Sequence, residues 1–502
     1  MRVAVIGAGH HGLVAAIALT TRCEVLVFEA AEEPGGGVRS AELTLPGFRH
    51  DVCAGFFPLT AASPVFTRLE LDLEWVNPTV AMVHLLEADG RAISLHREIV
   101  PTVRSLEACA PGAGRAWEAL VASLWPHRRR LIDAALSPLP AVRPTLRLLA
   151  GMRGRAIQLA PMLLASAATL GHQLFGHPDA AAWLAGSGTH ADLSPQAAGS
   201  GAFGLGLNFL AHAVGWPFPR GGAGALSAAL VQRLCALGGE LRCGRAVEAI
   251  ELARGRVSAV RLAGGERVRV DAVLATLSPA PLLRLLGPGA LPGRLERRLR
   301  DWRYGLGTIK LDWALSAPVP WTSAQAREAA VVHVGGSLSQ LTGSLVQAGL
   351  GEFPTRPALV VGQHTLHDPS RAPDGQHTLY AYARVPQRPG LTEEEMAQRV
   401  ELQIERFAPG FTRLIRGRSI RSPAALEAAN PSLCGGDLAS GSCELDQQLI
   451  FRPAPALCRG RTPLPGLYVA GAWVHPGAGV HGVSGAAAAR ALLADTRRRR
   501  VR

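Results

Sequence analysis

Several things are scarce or missing in this 502-residue chain. Aromatic residues make up 5% and charged residues 18%, against 48% apolar ones. The eight cysteines, Cys23, Cys53, Cys109, Cys235, Cys243, Cys434, Cys443 and Cys458, include no Cys-x-x-Cys pair. Zinc spacing and a redox dithiol are therefore excluded, and a reduced compartment is expected. No apolar run reaches the roughly 20 residues that a membrane span needs. The nearest, residues 156–170, is broken by Pro161. The first apolar run is only a few residues long and begins at Arg2, too short for a secretory signal. The expectation is a cytoplasmic protein, either soluble or peripheral on the inner membrane face. Nucleic-acid binding is not expected despite a net charge of +13, because no recognisable module is present and aromatics are sparse. Part of that charge reflects a general preference for arginine.

A chain of this length exceeds one hydrophobic core, so two domains or an interleaved pair are expected. The first sixty residues are the most informative. "RVAVI" reads as a strand, "GAGHHG" as a turn, "LVAAIALTT" as a packed helix and "EVLVFE" as a second strand. Gly7, Gly9 and Gly12 form a Gly-x-Gly-x-x-Gly pattern, with His10 inside it, and Glu29 ends the second strand just before Ala30. Gly7 permits the tight turn, Gly9 lets a pyrophosphate approach the backbone, and Gly12 lets helix and strand pack closely. The helix N-terminus faces the phosphates and Glu29 accepts from a ribose hydroxyl. A dinucleotide site follows.

Six residues beyond Glu29 lies "GGGVRS", beginning at Gly35 and Gly36. This second glycine cluster is characteristic of FAD-binding oxidoreductases of the glutathione-reductase type, and simple NAD dehydrogenases lack it. Together with "PGFRHDVCAGFFP" it resembles the amine-oxidase and phytoene-desaturase superfamily. The nearest branch is the phytoene-desaturase-related one named after pyridine nucleotide-disulfide oxidoreductase domains. Many members carry arginine directly after the second glycine, whereas this chain has Gly37 there and Arg39 two places on. The resemblance implies an α/β fold: a Rossmann-like FAD-binding domain assembled from separated segments, with an interleaved α+β substrate domain. It divides the chain into FAD segments 1–75, 216–287 and 421–494, substrate segments 76–215 and 288–420, and a basic tail 495–502. No second convincing Gly-x-Gly-x-x-Gly supports NADPH.

Within 76–215 the pattern is helical and irregular. Arg128, Arg129, Arg130, Arg143, Arg147, Arg153 and Arg155 crowd there. They form either a solvated face or a basic amphipathic face on an anionic membrane. Residues 215–279 read as a helix from Ala223 to Leu237, one strand "ELRCGRAVEAIEL", a meander turning at Arg254–Gly255 and Gly264–Gly265, and a strand "DAVLAT". By resemblance, the backbone near Val247 contacts adenine and Thr276 ends a strand near the cofactor. Arg220 in "PRGG" is either a surface residue or points at the ligand.

The alternation in "TIKLDWAL" predicts a strand that carries Lys310 among apolar residues. A buried ammonium is costly without partners. In flavin amine oxidases a similar strand presents a lysine that holds a water near flavin N5, so the resemblance gives Lys310 that place; the alternative is a solvent-facing lysine on an edge strand. His364, His367 and His377 match no metal template, and a substrate-domain hairpin fits them better.

Near the end, "GLYVAGA" predicts a strand, with Gly471 and Ala472 matching the superfamily's last FAD signature. Many relatives place an acid where this chain has Ala472. Gly479 and Val480 then lead into a helix from Val483, whose N-terminus suits negative charge on reduced flavin. His475 and His481 lack a third ligand for metal. His481 stands as an acid–base candidate beside a plain packing role. "RRRRVR" reads as a disordered basic end.

What the resemblance implies is oxidation of a hydrophobic organic substrate by hydride transfer to flavin N5, through C–C desaturation or amine or alcohol oxidation. Electrons then pass to O2, a quinone or another acceptor. A redox-neutral flavin isomerase and a non-catalytic scaffold are the alternatives. The oligomeric state is left open.

Overall fold

The computed structural model describes residues 1–152 and 155–500. Two sheets organise it, and the α/β expectation holds. The first sheet is wholly parallel, in the order Leu467–Val469, Ala272–Ala275, Arg2–Ile6, Glu24–Phe28, Glu240–Arg242. Apart from the half-exposed edge strand Glu240–Arg242, its strands are short, largely apolar runs, buried on both faces as parallel strands require. Alternate side chains divide the packing. Val3, Val5, Val25 and Val27 meet the helices His10–Leu19, Ala223–Ala236 and Val483–Arg500. Ala4, Ile6, Leu26 and Phe28 face a three-stranded antiparallel meander and the helices Pro279–Leu286 and Gly293–Arg300.

Two expectations are corrected in this half. The single strand expected over residues 240–252 is two strands in two sheets. Glu240–Arg242 joins the parallel sheet and Val247–Ala253 opens the meander. Gly244, at φ +65°, turns the chain between them. The basic end is not disordered over its described part, because the last helix runs Val483–Arg500. Its alanines (Ala487, Ala488, Ala489) pack on the first helix, and this anchors it.

The second sheet has seven strands, ordered Ile415–Arg421, Gly307–Leu315, His377–Val385, Leu359–Gly362, Val331–Val334, Val80–Leu85, Ala92–His96. One face is apolar, with Ile309, Leu311, Trp313, Leu379 and Ala381 packed beneath the helix Glu393–Phe407. That helix begins with a capping box between Thr392 and Glu395. The other face carries Lys310, Asp312, Tyr380, Tyr382, Arg384, His333 and His84, set by the period of two. Segment 76–215, read as helical, therefore opens with a hairpin of this sheet, Val80–Leu85 and Ala92–His96. The first of these strands is buried at every position and shows no alternation. Eight helices follow, from Ile99–Cys109 to Ser200–Val214. The last of them crosses Pro178–Gly188 so closely that a Cβ on Gly204 would lie 2.3 Å from the Leu184 carbonyl.

Candidate flavin site

The sequence-distant candidates converge because parallel strands end on one side. Gly7, Glu29 and Thr276 each follow a strand of the first sheet directly, and Gly471 comes two residues after the strand Leu467–Val469. Ligands of open α/β sheets bind in the crevice at those carboxyl ends.

Glycines shape the crevice. Gly7 has φ +95°, and a Cβ there would lie 2.5 Å from the Thr276 hydroxyl, which itself donates to the Ile6 carbonyl at 2.8 Å. Gly12 meets the Gly7 carbonyl, with a built Cβ at 2.0 Å. Nothing lies within 4 Å of a Cβ built on Gly9, so space is left above the turn at the start of the first helix. Gly35 bridges to Gly9 and Gly36 packs on its Cα. The half-buried Glu29 accepts from the Ala8 N–H at 2.7 Å and the Ala31 N–H at 3.0 Å, which fixes the carboxylate in the crevice beside the exposed Ala30. The Arg245 N–H donates to the Glu29 carbonyl, which places the half-buried Val247 nearby on the meander.

At the other end, Gly471 has φ +125° and its N–H donates to the Ser484 hydroxyl, which also contacts His11 Nδ1 at 3.1 Å. The Ala472 carbonyl accepts from Arg452, a fully buried guanidinium that also donates to the carbonyls of Ala439 and Ser442. Arg452 was not anticipated from the sequence. It lashes the loop 439–452 to the crevice. The loop through Gly479 and Val480 is held from the first segment, by Thr60 donating to the Val480 carbonyl and Ser63 to the His481 carbonyl.

His481 is corrected. Its Nε2 lies 3.0 Å from the Gly477 carbonyl and its Nδ1 accepts from the Val483 N–H, so both ring nitrogens serve the backbone and cap the last helix. No lone pair is left for acid–base work. His475 likewise holds the Ser137 carbonyl. Burial pushes His481 down to about 4 and His10 down to about 3, the latter helped by the neighbouring His481. The cluster of His10, His11 and His481 is thus neutral and presents no charge to the crevice. His10 Nε2 and His11 Nε2 are buried without partners.

The opposite wall of the cleft is the polar face of the seven-stranded sheet. Lys310 lies on an interior strand, between His377–Val385 and Ile415–Arg421, and is 3% exposed. The edge-strand, solvent-facing alternative is removed. Its Nζ donates to both Asp312 oxygens at 2.5 Å and sits 5.2 Å from the Tyr380 ring centroid. His50, which burial pushes down to about 4 against the pull of Asp312, stands 3.6 Å from that carboxylate. Lys310 is also the only lysine in the chain, beside 51 arginines. That count was open to sequence reading and is its strongest signal. A chain that makes every other cation an arginine keeps an ammonium at one place.

Segment 50–57 runs between the walls. The Ala54 N–H donates to the Gly37 carbonyl, and His364 Nε2 contacts the Gly55 carbonyl at 2.8 Å. A Cβ on Gly55 would strike both His364 and Tyr380 at 2.9 Å, so only glycine fits there. Cys53, Ala54, Phe56, His190 and Tyr382 keep partial solvent contact although they lie between the two sheets, so they line the interior cleft. Beneath it is a clasp that the sequence did not disclose. Arg371 donates to Asp51 at 2.7 Å, to Asp368 at 3.1 Å and to the Pro219 carbonyl at 3.1 Å, all three side chains being buried. Asp51 also accepts from Ser40 and the Ala223 N–H, and Asp368 from the Gly221 N–H. Arg220 pairs with the exposed Glu74 and is a surface residue. His364 and Asp368 are thereby spoken for, and no cluster of three or more ligating side chains occurs among the described residues.

A glycine turn, a backbone-fixed acid and the ends of parallel strands thus meet in one crevice, and the family to which the chain is matched makes it a flavin-dependent oxidoreductase. The flavin containing amine oxidoreductase family matches residues 12–493, and the chain belongs to it. It is 29% identical, over 98% of its length and 93% of the relative's, to "Pyridine nucleotide-disulfide oxidoreductase domain-containing protein 2" of Rattus norvegicus. It is 28% identical, over 98% of both chains, to "Hydroxyneurosporene desaturase" of Cereibacter sphaeroides. Among solved structures, an oxidoreductase from Methanosarcina mazei superposes with a TM-score of 0.66 at 17% identity, over 98% of this chain and 100% of the other.

Proposed function

We propose that the flavin is FAD and that the enzyme desaturates a neutral, hydrophobic substrate. The observation that carries this reading is the convergence, at one set of strand ends, of an open Gly9 turn and a backbone-fixed Glu29, joined through segment 50–57 to the sheet face that carries Lys310. Gly7, Gly9, His10, Gly12, Gly35 and Gly36 hold the pyrophosphate, Glu29 and Ala30 the ribose, and Val247 the adenine. Thr276, Gly471, Ala472, Gly479 and Val480 bring the backbone to the flavin end. FAD, when bound, accepts a hydride at N5. The chain's part is to position the substrate and exclude water. Lys310 has three N–H donors and gives two to Asp312, which leaves one for a water in the cleft.

Charge separates desaturation from amine oxidation. Around Cys53, Lys310 and Asp312 cancel as an ion pair, and the charges left over are the cations Arg421 and Arg384. An ammonium substrate is repelled there and a hydrocarbon is not. Similarity to a desaturase over nearly the whole chain supports the same choice. Electrons leave to O2 or a quinone. Full-length protein is expected to purify yellow, to release FAD on denaturation, and to bleach anaerobically with a neutral polyene in detergent but not with a primary amine. Colourless protein unable to take up FAD would sink the cofactor assignment. Bleaching by the amine alone would overturn the desaturase reading, and turnover of the polyene only after prior reduction would point to an isomerase.

An exposed face supports peripheral contact with an anionic membrane. No helix among the described residues is long and apolar enough to cross one. Helices Val142–Met152 and Arg155–Leu164 expose Leu146 (59%) and Leu164 (58%), and the nearby loop exposes Leu449 (61%) and Phe451. The Gly199 N–H bonds the Leu164 carbonyl, and Gly199 packs on Leu445, so these surfaces adjoin. Arg129, Arg130, Arg143 and Arg147 are exposed around the first helix or on it, while Arg153 and the side chain of Arg155 lie outside the described residues. Cations suit anionic headgroups and leucines the acyl boundary. Sedimentation with phosphatidylglycerol vesicles is expected, with binding lost in Leu146→Glu/Leu149→Glu. Equal binding to phosphatidylcholine vesicles, or none to either, would refute the contact.

A further inference from the structure

Desaturation removes a hydride and a proton, and the groups described so far provide no acceptor for the proton. Lys310 is an ammonium bound to Asp312, whose two oxygens it occupies. His481 has both ring nitrogens on the backbone. His364 is held on the Gly55 carbonyl beneath Phe56, whose ring stacks on it at 4.5 Å.

A different set of side chains crosses the same sheet face. Strand register places Lys310 opposite Tyr382, Tyr382 opposite Val360, Val360 opposite His333, and His333 opposite His84. Only Val360 interrupts this polar row. His190, just beyond the helix Pro178–Gly188, spans the interruption: its Nδ1 lies 3.0 Å from the Tyr382 hydroxyl and its Nε2 lies 3.0 Å from His333 Nε2. Tyr382 and His190 both reach the cleft, whereas His333 is buried. At the inner end, His333 Nδ1 and His84 Nδ1 are buried without partners, both facing Gly186.

We propose that Tyr382, His190 and His333 form the proton acceptor of the active site, with Tyr382 the catalytic residue and the two histidines acting through it. The inference rests on the desaturase reading. One substrate C–H bond breaks with both electrons leaving as hydride to the flavin. The adjacent C–H releases its proton to the Tyr382 oxygen, and the electron pair of that bond forms the double bond. The tyrosine's own proton passes to His190 Nδ1, and the proton on His190 Nε2 passes to His333 Nε2, leaving one positive charge on His333. Burial and the Arg384 charge push His190 down to about 3, and burial beside His190 and His84 holds His333 well below its ordinary value, so the chain rests neutral and carries the charge on His333 only transiently. A weak acceptor is sufficient when hydride departure has made the neighbouring C–H strongly acidic.

Two measurements on the full-length holoprotein test this. In histidine-labelled protein, 15N spectra are expected to show one protonated and one bare Nε2 in the His190–His333 pair, with His190 ring shifts altered by both Tyr382→Phe and His333→Phe. Unaltered shifts in both variants overturn the chain of hydrogen bonds, whatever the substrate. In anaerobic bleaching by a neutral polyene, His190→Phe is expected to be slower by about 100-fold or more at unchanged FAD content. His190→Gly should be slow as well and should recover at least several-fold on adding imidazole, which a merely structural role would not produce. If the wild type bleaches and His190→Phe bleaches equally fast, the proton acceptor is wrong and the desaturase reading stands. If the wild type fails to bleach, that reading falls and the catalytic assignment of Tyr382 falls with it.

Discussion

Replacing Arg371 by methionine is expected to be among the most destabilising single changes in the chain, at about 3–5 kcal/mol. The guanidinium is buried between Asp51 and Asp368 and bonds both, so its loss strands two carboxylates out of reach of water. Burial pushes the Asp51 carboxyl up; Arg371, His364 and Ser40 outweigh it and hold it below the usual carboxylate range. Asp368 is balanced in the same way by Ser370, the Gly221 N–H and Arg371. In the wild type, then, the folded state binds these protons more weakly than the unfolded chain. The stabilisation is present above the ordinary carboxylate pKa and is lost as pH falls through the folded values. Without Arg371 the sign reverses. Burial raises both carboxyls, the folded state binds protons more strongly, and the variant's deficit widens as pH rises from 4 to 8. Thermal midpoints measured across that range check both claims. The triple variant Arg371→Met/Asp51→Asn/Asp368→Asn should recover part of the loss, since no buried charge then lacks a partner. An Arg371→Met midpoint equal to the wild type at pH 8 would refute the clasp. Because Asp51 also caps the backbone at Ala223, and Gly221 is held by Asp368, FAD retention should fall together with stability.

How far the sequence reached depends on how local each signal is. "GAGHHG" followed by "EVLVFE" spans under thirty residues, and its glycines and acid have one physical use each, so the crevice at Gly7, Gly9, Gly12 and Glu29 was legible. The helix from Ala223 and the strand around Lys310 were legible for the same reason, through their periodicities. The clasp was not, because Asp51 and Arg371 are 320 residues apart and neither sits in a pattern that announces its partner. The same holds for His190 and Tyr382, which are 192 apart. The hairpin at residues 80–96 escaped because a strand buried on both faces has no alternation to read. His481 misled in the opposite direction. Its place before a helix suggested chemistry, but a histidine two residues ahead of Val483 is within reach of that residue's N–H, and capping takes it. Lys310 was singled out on its strand, but its being the only lysine was lost in the +13 net charge, where it counts as one cation in 52.

Lys310→Met is expected to slow flavin reduction or reoxidation by about 100–1,000-fold, comparable to the loss of one positioned donor at a reacting centre. The same substitution leaves Asp312 charged and buried beside a neutral His50, so stability should also fall, by about 3–5 kcal/mol. A slow enzyme alone would therefore not distinguish a lysine that acts on the flavin from one that merely neutralises Asp312. The double variant Lys310→Met/Asp312→Leu separates the two. Removing both members of a buried pair is often neutral for stability, so its thermal midpoint should return toward the wild type while its rates stay slow. If the rates return as well, Lys310 serves only Asp312, and the water-holding role is lost. Lys310→Arg adds a further distinction. A guanidinium keeps the charge and can bond both Asp312 oxygens, but its planar fork replaces the tetrahedral ammonium and its spare donor. It is expected to fold like the wild type and remain slow. Wild-type rates in Lys310→Arg would show that charge alone suffices, and that the one ammonium kept in a chain of 51 arginines has no chemical purpose.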